Sequence, residues 1–212
     1  MSTPTSKSFS VRSYDHDYFE RLYRARPDPW SVLTSDYELA KFARSMQSLE
    51  KPTYAHGLEL GCSIGGLTRF LTARCRMLTA VDTSHHALRR ARRLCTGANV
   101  RFVQAHLPDG AFEGPFDLLV LSEVLYYFNE AELKQLAGRL SRVMASDVEI
   151  LVVHWTGRTD YPLSGDRAMD VFRHHMHAQV RRHMRHPAYR LETWTCTPRP
   201  ACVAIGSAQR TP

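Results

Sequence analysis

Glu59 stands just before a glycine loop, Gly61-Cys62-Ser63-Ile64-Gly65, and Asp82 closes a second apolar run 23 residues after Glu59. Gly61 and Gly65 let the backbone turn tightly and come close to a ligand. An acidic side chain at Asp82 can accept hydrogen bonds from ribose hydroxyls. The loop is not a pyrophosphate site of G-x-G-x-x-G type, because Ser63 or Ile64 stands where a further glycine is needed. Nor is it a phosphate-cradling Walker loop, which requires Gly-Lys-Ser/Thr. Glu59 would repel a pyrophosphate but suits a ligand that carries a cation. The chemistry these residues fit is a nucleoside-like cofactor without phosphates, bearing a sulfonium or an ammonium.

Other reactive residue types make weaker sets. Five cysteines (Cys62, Cys75, Cys95, Cys196 and Cys202) are scattered with no C-x-x-C pair, so neither a zinc ribbon nor a redox pair is spelled out, and they read as buried free thiols. His174 and His177, and again His183 and His186, are spaced to share a helix face. Arg173, Arg181, Arg182 and Arg185 are interleaved with them, so this segment reads as a solvated basic helix, and no metal site is assigned. The run Arg89-Arg90-x-Arg92-Arg93 reads as the exposed face of a helix covering a sheet.

The elements that must position the loop follow from periodicity. Residues 1–12 form a Ser/Thr-rich tail, expected to be disordered. From Tyr14 to Leu49 the apolar spacing predicts two helices, interrupted by Pro27-Asp28-Pro29-Trp30, with Ser35 or Asp36 capping the second. Strands are then expected at Ala55–Leu60, Met77–Val81, Val100–Ala105, Phe116–Leu121 and Glu149–His154, with helices at Leu67–Ala73, from Ser84 to about Leu94, and at Glu130–Val143. Phe116–Leu121 is apolar on both faces, as a strand buried in a parallel sheet requires. Strand and helix alternating at this spacing imply right-handed crossovers. The ending differs: Thr156–His186 is expected to hold one helix, and Tyr189–Cys196 and Ala201–Ile205 flank Pro198-Arg199-Pro200 as an antiparallel pair at the sheet edge.

Leu58-Glu59-Leu60-Gly61-x-x-x-Gly65 followed by Val81-Asp82 resembles the signature of class I S-adenosylmethionine (SAM) methyltransferases. Three segments resemble more narrowly the nodulation-protein NodS-type N-methyltransferases: Pro27-Asp28-Pro29-Trp30 with Tyr37-Glu38, Leu58-Glu59-Leu60-Gly61-Cys62, and Ser122-Glu123-Val124-Leu125-Tyr126-Tyr127. The likeness covers roughly residues 15–155. It implies an α/β, Rossmann-like fold with a mostly parallel seven-stranded sheet, helices on both faces and an antiparallel C-terminal hairpin. It divides the chain into a tail (1–12), a helical lid (13–50) and a cofactor-binding core (51–212).

The resemblance also implies roles. Glu59 and the backbone of Gly61, Cys62, Ser63 and Gly65 hold the methionine moiety and its ammonium. Asp82 takes the ribose hydroxyls, with Thr83 beside the adenine. His106 and Leu107 stand where an acidic residue often meets the adenine amine, and His106 departs from that pattern. Ser122 lies beside the methionine portion, Lys41 pairs with its carboxylate, and Trp30 belongs to the lid. Methyl transfer from a sulfonium is an in-line displacement, and an amine acceptor must first lose a proton. Glu123, Tyr126, Tyr127 and His154 follow the carboxyl ends of the fourth and fifth strands and are the candidate catalytic groups. Glu123 is placed as base or as partner of a substrate ammonium, and one of the consecutive tyrosines is expected to pack rather than face the pocket. Tyrosine and Trp155 faces favour a cation by about 0.5–2 kcal/mol each.

Composition bounds these readings. The chain has 212 residues, 43% hydrophobic and 23% charged, the size of one domain with additions. No apolar run approaches the roughly 18 residues of a membrane span, and MSTPTSKSFS has no apolar signal core, so a soluble, cytoplasmic protein is expected. The net charge of +7 is uneven: residues 1–150 hold 19 basic and 17 acidic side chains, and residues 151–212 hold 9 and 4. The expected activity is SAM-dependent methylation of a small molecule, with S-adenosyl-L-homocysteine as product. The acceptor is an amine, such as an amino sugar or chitooligosaccharide, or an anionic compound drawn by the basic end. O-methylation is the alternative. An RNA-binding or RNA-methylating protein ranks lower because no RNA-reading module is present, and an inactive SAM-binding regulator is a further lower-ranked alternative.

Overall fold

The computed structural model describes residues 14–97 and 99–196. Two helices come first, α1 (His16–Ala25) and α2 (Asp36–Ser48). Asp15 caps α1 by accepting from the Tyr18 N–H, and Ser35 caps α2 by accepting from the Glu38 N–H. The alternating core follows as β1 (Tyr54–Leu60), α3 (Thr68–Leu71), β2 (Cys75–Asp82), α4 (His85–Leu94), β3 (Val100–Gln104) and β4 (Phe116–Ser122). After a 3-10 turn at Leu125–Tyr127 come α5 (Glu130–Leu140), β5 (Met144–Trp155), α6 (Gly165–Met176), β6 (Ala178–Arg185) and β7 (Tyr189–Cys196).

The seven strands form one sheet in the order β3-β2-β1-β4-β5-β7-β6. Pairings among β1 to β5 are parallel, and β7 runs antiparallel to both β5 and β6. The chain order reverses between β1 and β4. That switch opens a crevice at the carboxyl ends of these strands, where ligands of open α/β sheets bind. Leu58, Leu60, Leu119, Leu121 and Val152 are fully buried in the central strands, each contributing about 1.5–3 kcal/mol. The rigid sheet therefore fixes the positions from which Glu59, Asp82 and Glu123 leave it.

The C-terminal region corrects one expectation. His183 lies on a strand, not on a helix with His174, because the helix stops at Met176 and His177 takes a left-handed conformation (φ 52°) that turns the chain back into β6. The antiparallel hairpin is therefore β6–β7. Ala201–Ile205, expected as its second strand, lies outside the described residues, as do residues 1–12 and Cys202. The other four cysteines are free, and no helix among the described residues is long and apolar enough to cross a membrane.

Candidate active site

A cavity of about 900 Å³ opens at the carboxyl ends of β1, β2 and β4, roofed by α1, α2 and the loop between them. Glu59 is buried, and its Oε2 accepts from the Thr68 hydroxyl at 2.7 Å. Burial without a cationic partner pushes its carboxyl up to about 7. Asp82 leaves the end of β2 with each oxygen engaged, Oδ1 by the Ser84 N–H and Oδ2 by the Ser63 N–H, both at 2.8 Å. Burial still outweighs these bonds and raises it to about 6. The first loop is thus tied through Asp82 to the turn after β2. Gly61 (φ 75°) and Ser63 (φ 53°) take the left-handed conformations that this requires.

Gly65 serves a different purpose from the one expected. It does not line the cavity; a Cβ there would come within 3.2 Å of Ala91 Cα, so its bare backbone lets the loop pack on α4. Gly61, Cys62, Ser63, Thr83, His106, Leu107, Ser122 and Trp30 all line the cavity. Thr83 Oγ1 bridges His106 Nδ1 at 2.9 Å and His16 Nδ1 at 3.1 Å, which joins α1 to the turns after β2 and β3. Trp30 meets Tyr23 edge to face, and the Tyr23 hydroxyl donates to Ser63 Oγ at 2.5 Å.

Lys41 is 2% exposed and lies between two carboxylates, Glu123 at 2.6 Å and Glu38 at 3.0 Å. Burial alone would lower its pKa, but the two carboxylates outweigh it and raise the ammonium. Here, therefore, Lys41 already has carboxylate partners from the protein itself. Glu123 has a left-handed backbone (φ 54°), held by its N–H to the Val153 carbonyl at 2.9 Å. Its Oε1 accepts from Lys41; its Oε2 accepts from the Tyr126 hydroxyl at 2.9 Å and the Trp155 N–H at 2.8 Å. Burial works to raise this carboxyl, yet Lys41 and these bonds hold it below its ordinary value. Glu123 is a fixed anion with both oxygens engaged, which makes it a poor base.

His154 is also corrected. It is fully buried and does not line the cavity. Its Nε2 accepts from the Val124 and Leu125 N–H groups at 3.2 and 2.9 Å, and burial drops its pKa to about 4. It is a neutral imidazole that fastens the turn after Glu123 from outside the cavity lining. Tyr126 and Tyr127, by contrast, both line the cavity. They lie on the 3-10 turn, where successive side chains are about 120° apart rather than on opposite faces as in a strand. Tyr126 stacks on Tyr161 with centroids 4.8 Å apart, and Tyr14 packs edge-on against Tyr127 and Tyr161.

Several lining residues carried no assignment from the sequence. Tyr14, His16 and Tyr161 reach the site only through the fold. Glu38 had a usable signal, since it stands three residues before Lys41 and so shares its helix face. Glu20, His85 and His86 offer ligand atoms within 4.8 Å of one another, a grouping hidden by 65 residues of separation. Glu20 there already accepts from the His85 N–H, the His85 ring and the Ser84 hydroxyl, and Arg24 Nε faces His86 Nε2 at 3.4 Å. These are hydrogen bonds that close the N-terminus of α4, and the arginine opposes a cation.

Comparison with known proteins places this geometry among relatives. The family model described as Nodulation protein S (NodS) matches residues 12–156. Nodulation protein S of Rhizobium tropici is 33% identical over 150 residues, 67% of this chain and 63% of that protein. Its namesake from Bradyrhizobium diazoefficiens is 32% identical over 141 residues, 65% of this chain and 66% of that protein. The chain thus aligns with slightly under two thirds of the length of these relatives. Among solved structures, a putative methyltransferase from Pseudomonas syringae is 31% identical with a TM-score of 0.67, covering 74% of this chain and 97% of that one. The N-methyltransferase NodS of Bradyrhizobium japonicum, solved with S-adenosyl-L-homocysteine, has a TM-score of 0.76 over 85% of this chain and 97% of its own. At 18% identity it speaks to the fold alone.

Proposed function

Since this chain belongs to the nodulation protein S (NodS) family, we propose that it transfers a methyl group from S-adenosyl-L-methionine to an amine of a small molecule, releasing S-adenosyl-L-homocysteine. The observation that carries this reading is the charge of the cavity. Glu38, Glu59, Asp82 and Glu123 line it, and among the described residues Lys41 is the one lysine or arginine in the lining. Buried carboxyls raised to about 7 and 6 are relieved by a cationic ligand, and a pyrophosphate or an anionic acceptor would make them worse. When bound, the cofactor supplies an electrophilic methyl on a sulfonium.

In this reading the chain's residues divide the work. Glu59 faces the cofactor ammonium. Asp82 offers its remaining lone pairs to the ribose hydroxyls while holding Ser63 and Ser84. Thr83, His106 and Leu107 flank the base. Glu123, braced by Lys41, Tyr126 and the Trp155 N–H, sets a fixed negative charge beside the transferring centre, and Tyr126, Tyr127 and Trp155 supply aromatic faces for cations. Residues 13–50 act as a lid whose helices exclude water and align the acceptor behind the methyl. The acceptor class is an amino sugar or chitooligosaccharide, as the resemblance to NodS-type N-methyltransferases implies; the N-methyltransferase label of the solved NodS supports transfer to nitrogen and does not name the acceptor. Four free thiols suit a reducing compartment, the cytoplasm.

The test is transfer of labelled methyl from SAM to glucosamine oligomers, simple amines and catechols. Label is expected on the amine nitrogen. Label confined to catechol oxygen would replace N-methylation by O-methylation, and label on none would reject the activity.

A further inference from the structure

Glu38, on the lid helix α2, is a cavity carboxylate with an unengaged oxygen; Glu59 keeps another, Oε1, which is assigned above to the cofactor ammonium. Glu38 Oε1 accepts from Lys41 at 3.0 Å, while no hydrogen bond from the described residues reaches its Oε2. Glu123 has no such capacity, because Lys41, Tyr126 and Trp155 take both of its oxygens. His154 is buried behind the turn with its Nε2 doubly occupied. Beside Glu38 on α2, Tyr37 also lines the cavity, and its buried hydroxyl has no hydrogen-bond partner among the described residues. Both residues line the same cavity, and each leaves polar capacity there that a ligand can use, a carboxylate oxygen on Glu38 and a hydroxyl on Tyr37.

We infer that Glu38 is the proton acceptor for the substrate ammonium, with Lys41, held in place by Glu123, as its neighbouring positive charge. The inference rests on the amine reading above. The ammonium N–H bond breaks, its proton passes to Glu38 Oε2, and the electron pair stays on nitrogen as the nucleophile. After transfer the proton leaves Glu38 for solvent. The two carboxylates that share Lys41 are driven apart by their surroundings. Burial raises Glu38 in spite of Lys41, aided by Glu123 beyond β4 and Asp28 in the preceding loop, while Glu123 is held low. Such a split separates a proton acceptor from a permanent anion. Tyr37, whose ring lies under the Lys41 ammonium at 5.1 Å and packs on Tyr189 and His186, completes the surroundings.

The experiment compares wild type, Glu38→Gln, Glu38→Asp and Glu123→Gln, using the amine that takes up label in the test above and calorimetry to check SAM affinity. Glu38→Gln is expected to bind SAM normally and to lose roughly 100-fold in kcat/KM at pH 7. Its rate should then climb about tenfold per pH unit toward the amine's own pKa, as water takes over the deprotonation. Glu38→Asp should recover part of the loss, and Glu123→Gln should lower the rate without adopting that slope. Carbon-13 labelling of the glutamates in the cofactor-free protein gives an independent readout, with the Glu38 carboxyl expected to titrate above an ordinary glutamate. Labelled product from a Glu38→Gln enzyme whose pH profile overlays the wild type would overturn the role of Glu38 alone. Absence of any labelled amine with wild type would overturn the underlying function and, with it, this role.

Discussion

At the scale of single residues, the site is a set of carboxyls in unequal surroundings. Asp82 joins two turns through the Ser63 and Ser84 N–H groups and faces the cavity, so Asp82→Ala removes both a ligand contact and the tie that shapes the loop. Charged hydrogen bonds of this kind contribute about 1.5–3 kcal/mol, so calorimetry should record a loss in SAM affinity of at least about tenfold. The raised carboxyls of Glu59 and Asp82 also set a pH dependence. Because their folded values of about 7 and 6 lie above the ordinary ones, the cofactor-free fold binds these protons more tightly than the unfolded chain. Their stabilising contribution is present at low pH and is lost as pH rises through those values. A cationic ligand needs the ionised forms, so SAM affinity should rise between pH 5 and 7, by up to about tenfold per unit for each proton displaced. An affinity that is flat over this range, measured calorimetrically, would remove these two groups from the cofactor site.

At the scale of elements, the question is what holds α1 and α2 against the sheet. α2 is anchored by the Lys41–Glu123 ion pair and by Arg44 donating to the Tyr189 hydroxyl at 3.0 Å. α1 leans on α4, where Glu20 accepts from the Ser84 hydroxyl and from the His85 backbone and ring, and Arg90 donates to the Tyr23 carbonyl. Burial works against the Glu20 charge, yet those His85 and Ser84 bonds hold its pKa to about 2. A depressed carboxyl contributes stability above its unfolded value that is lost as pH falls toward the folded one. Glu20→Ala should therefore cost about 1–2 kcal/mol at pH 7, with the difference shrinking from pH 4.5 downward. Hydrogen exchange should show the damage confined to residues 16–25, with β4 unaffected. Equal acceleration in β4 would mean that these Glu20 hydrogen bonds support the whole fold rather than the lid.

At the scale of the whole molecule, the charge asymmetry acquires a structural meaning. The basic excess after residue 150 lies largely on the edge strand β6 and its neighbour. There Arg185 and Arg190 pair with Asp166, Arg190 reaches Asp170 and Glu192, and Arg182 faces Glu50. Charged side chains on an outermost strand also discourage edge-to-edge association. These arginines are engaged in ion pairs and point to no nucleic-acid groove. The expected outcome of a gel-shift assay with single-stranded RNA at about 150 mM salt is no retained complex, whereas retention that weakens steeply with added salt would revive the RNA reading.

The sequence by itself determined the alternating core and the glycine loop after β1, with Glu59 and Asp82 beside it. Each of these rests on short-range regularities: apolar runs of strand length, glycines where the backbone must turn, and caps such as Ser84. Tertiary structure decided what depends on distant partners. Only the packing of α2 over β4 gives Lys41 its two carboxylates. Only the sheet brings Val124 and Leu125 onto His154, which turns a candidate base into a brace. The left-handed stop at His177 sends the basic segment into a strand where helical spacing had predicted a helix. The division between Glu123 and Glu38 has the same origin. Two glutamates are alike in the sequence, and the number of hydrogen bonds that each receives in the fold makes one a fixed anion and leaves the other an open oxygen.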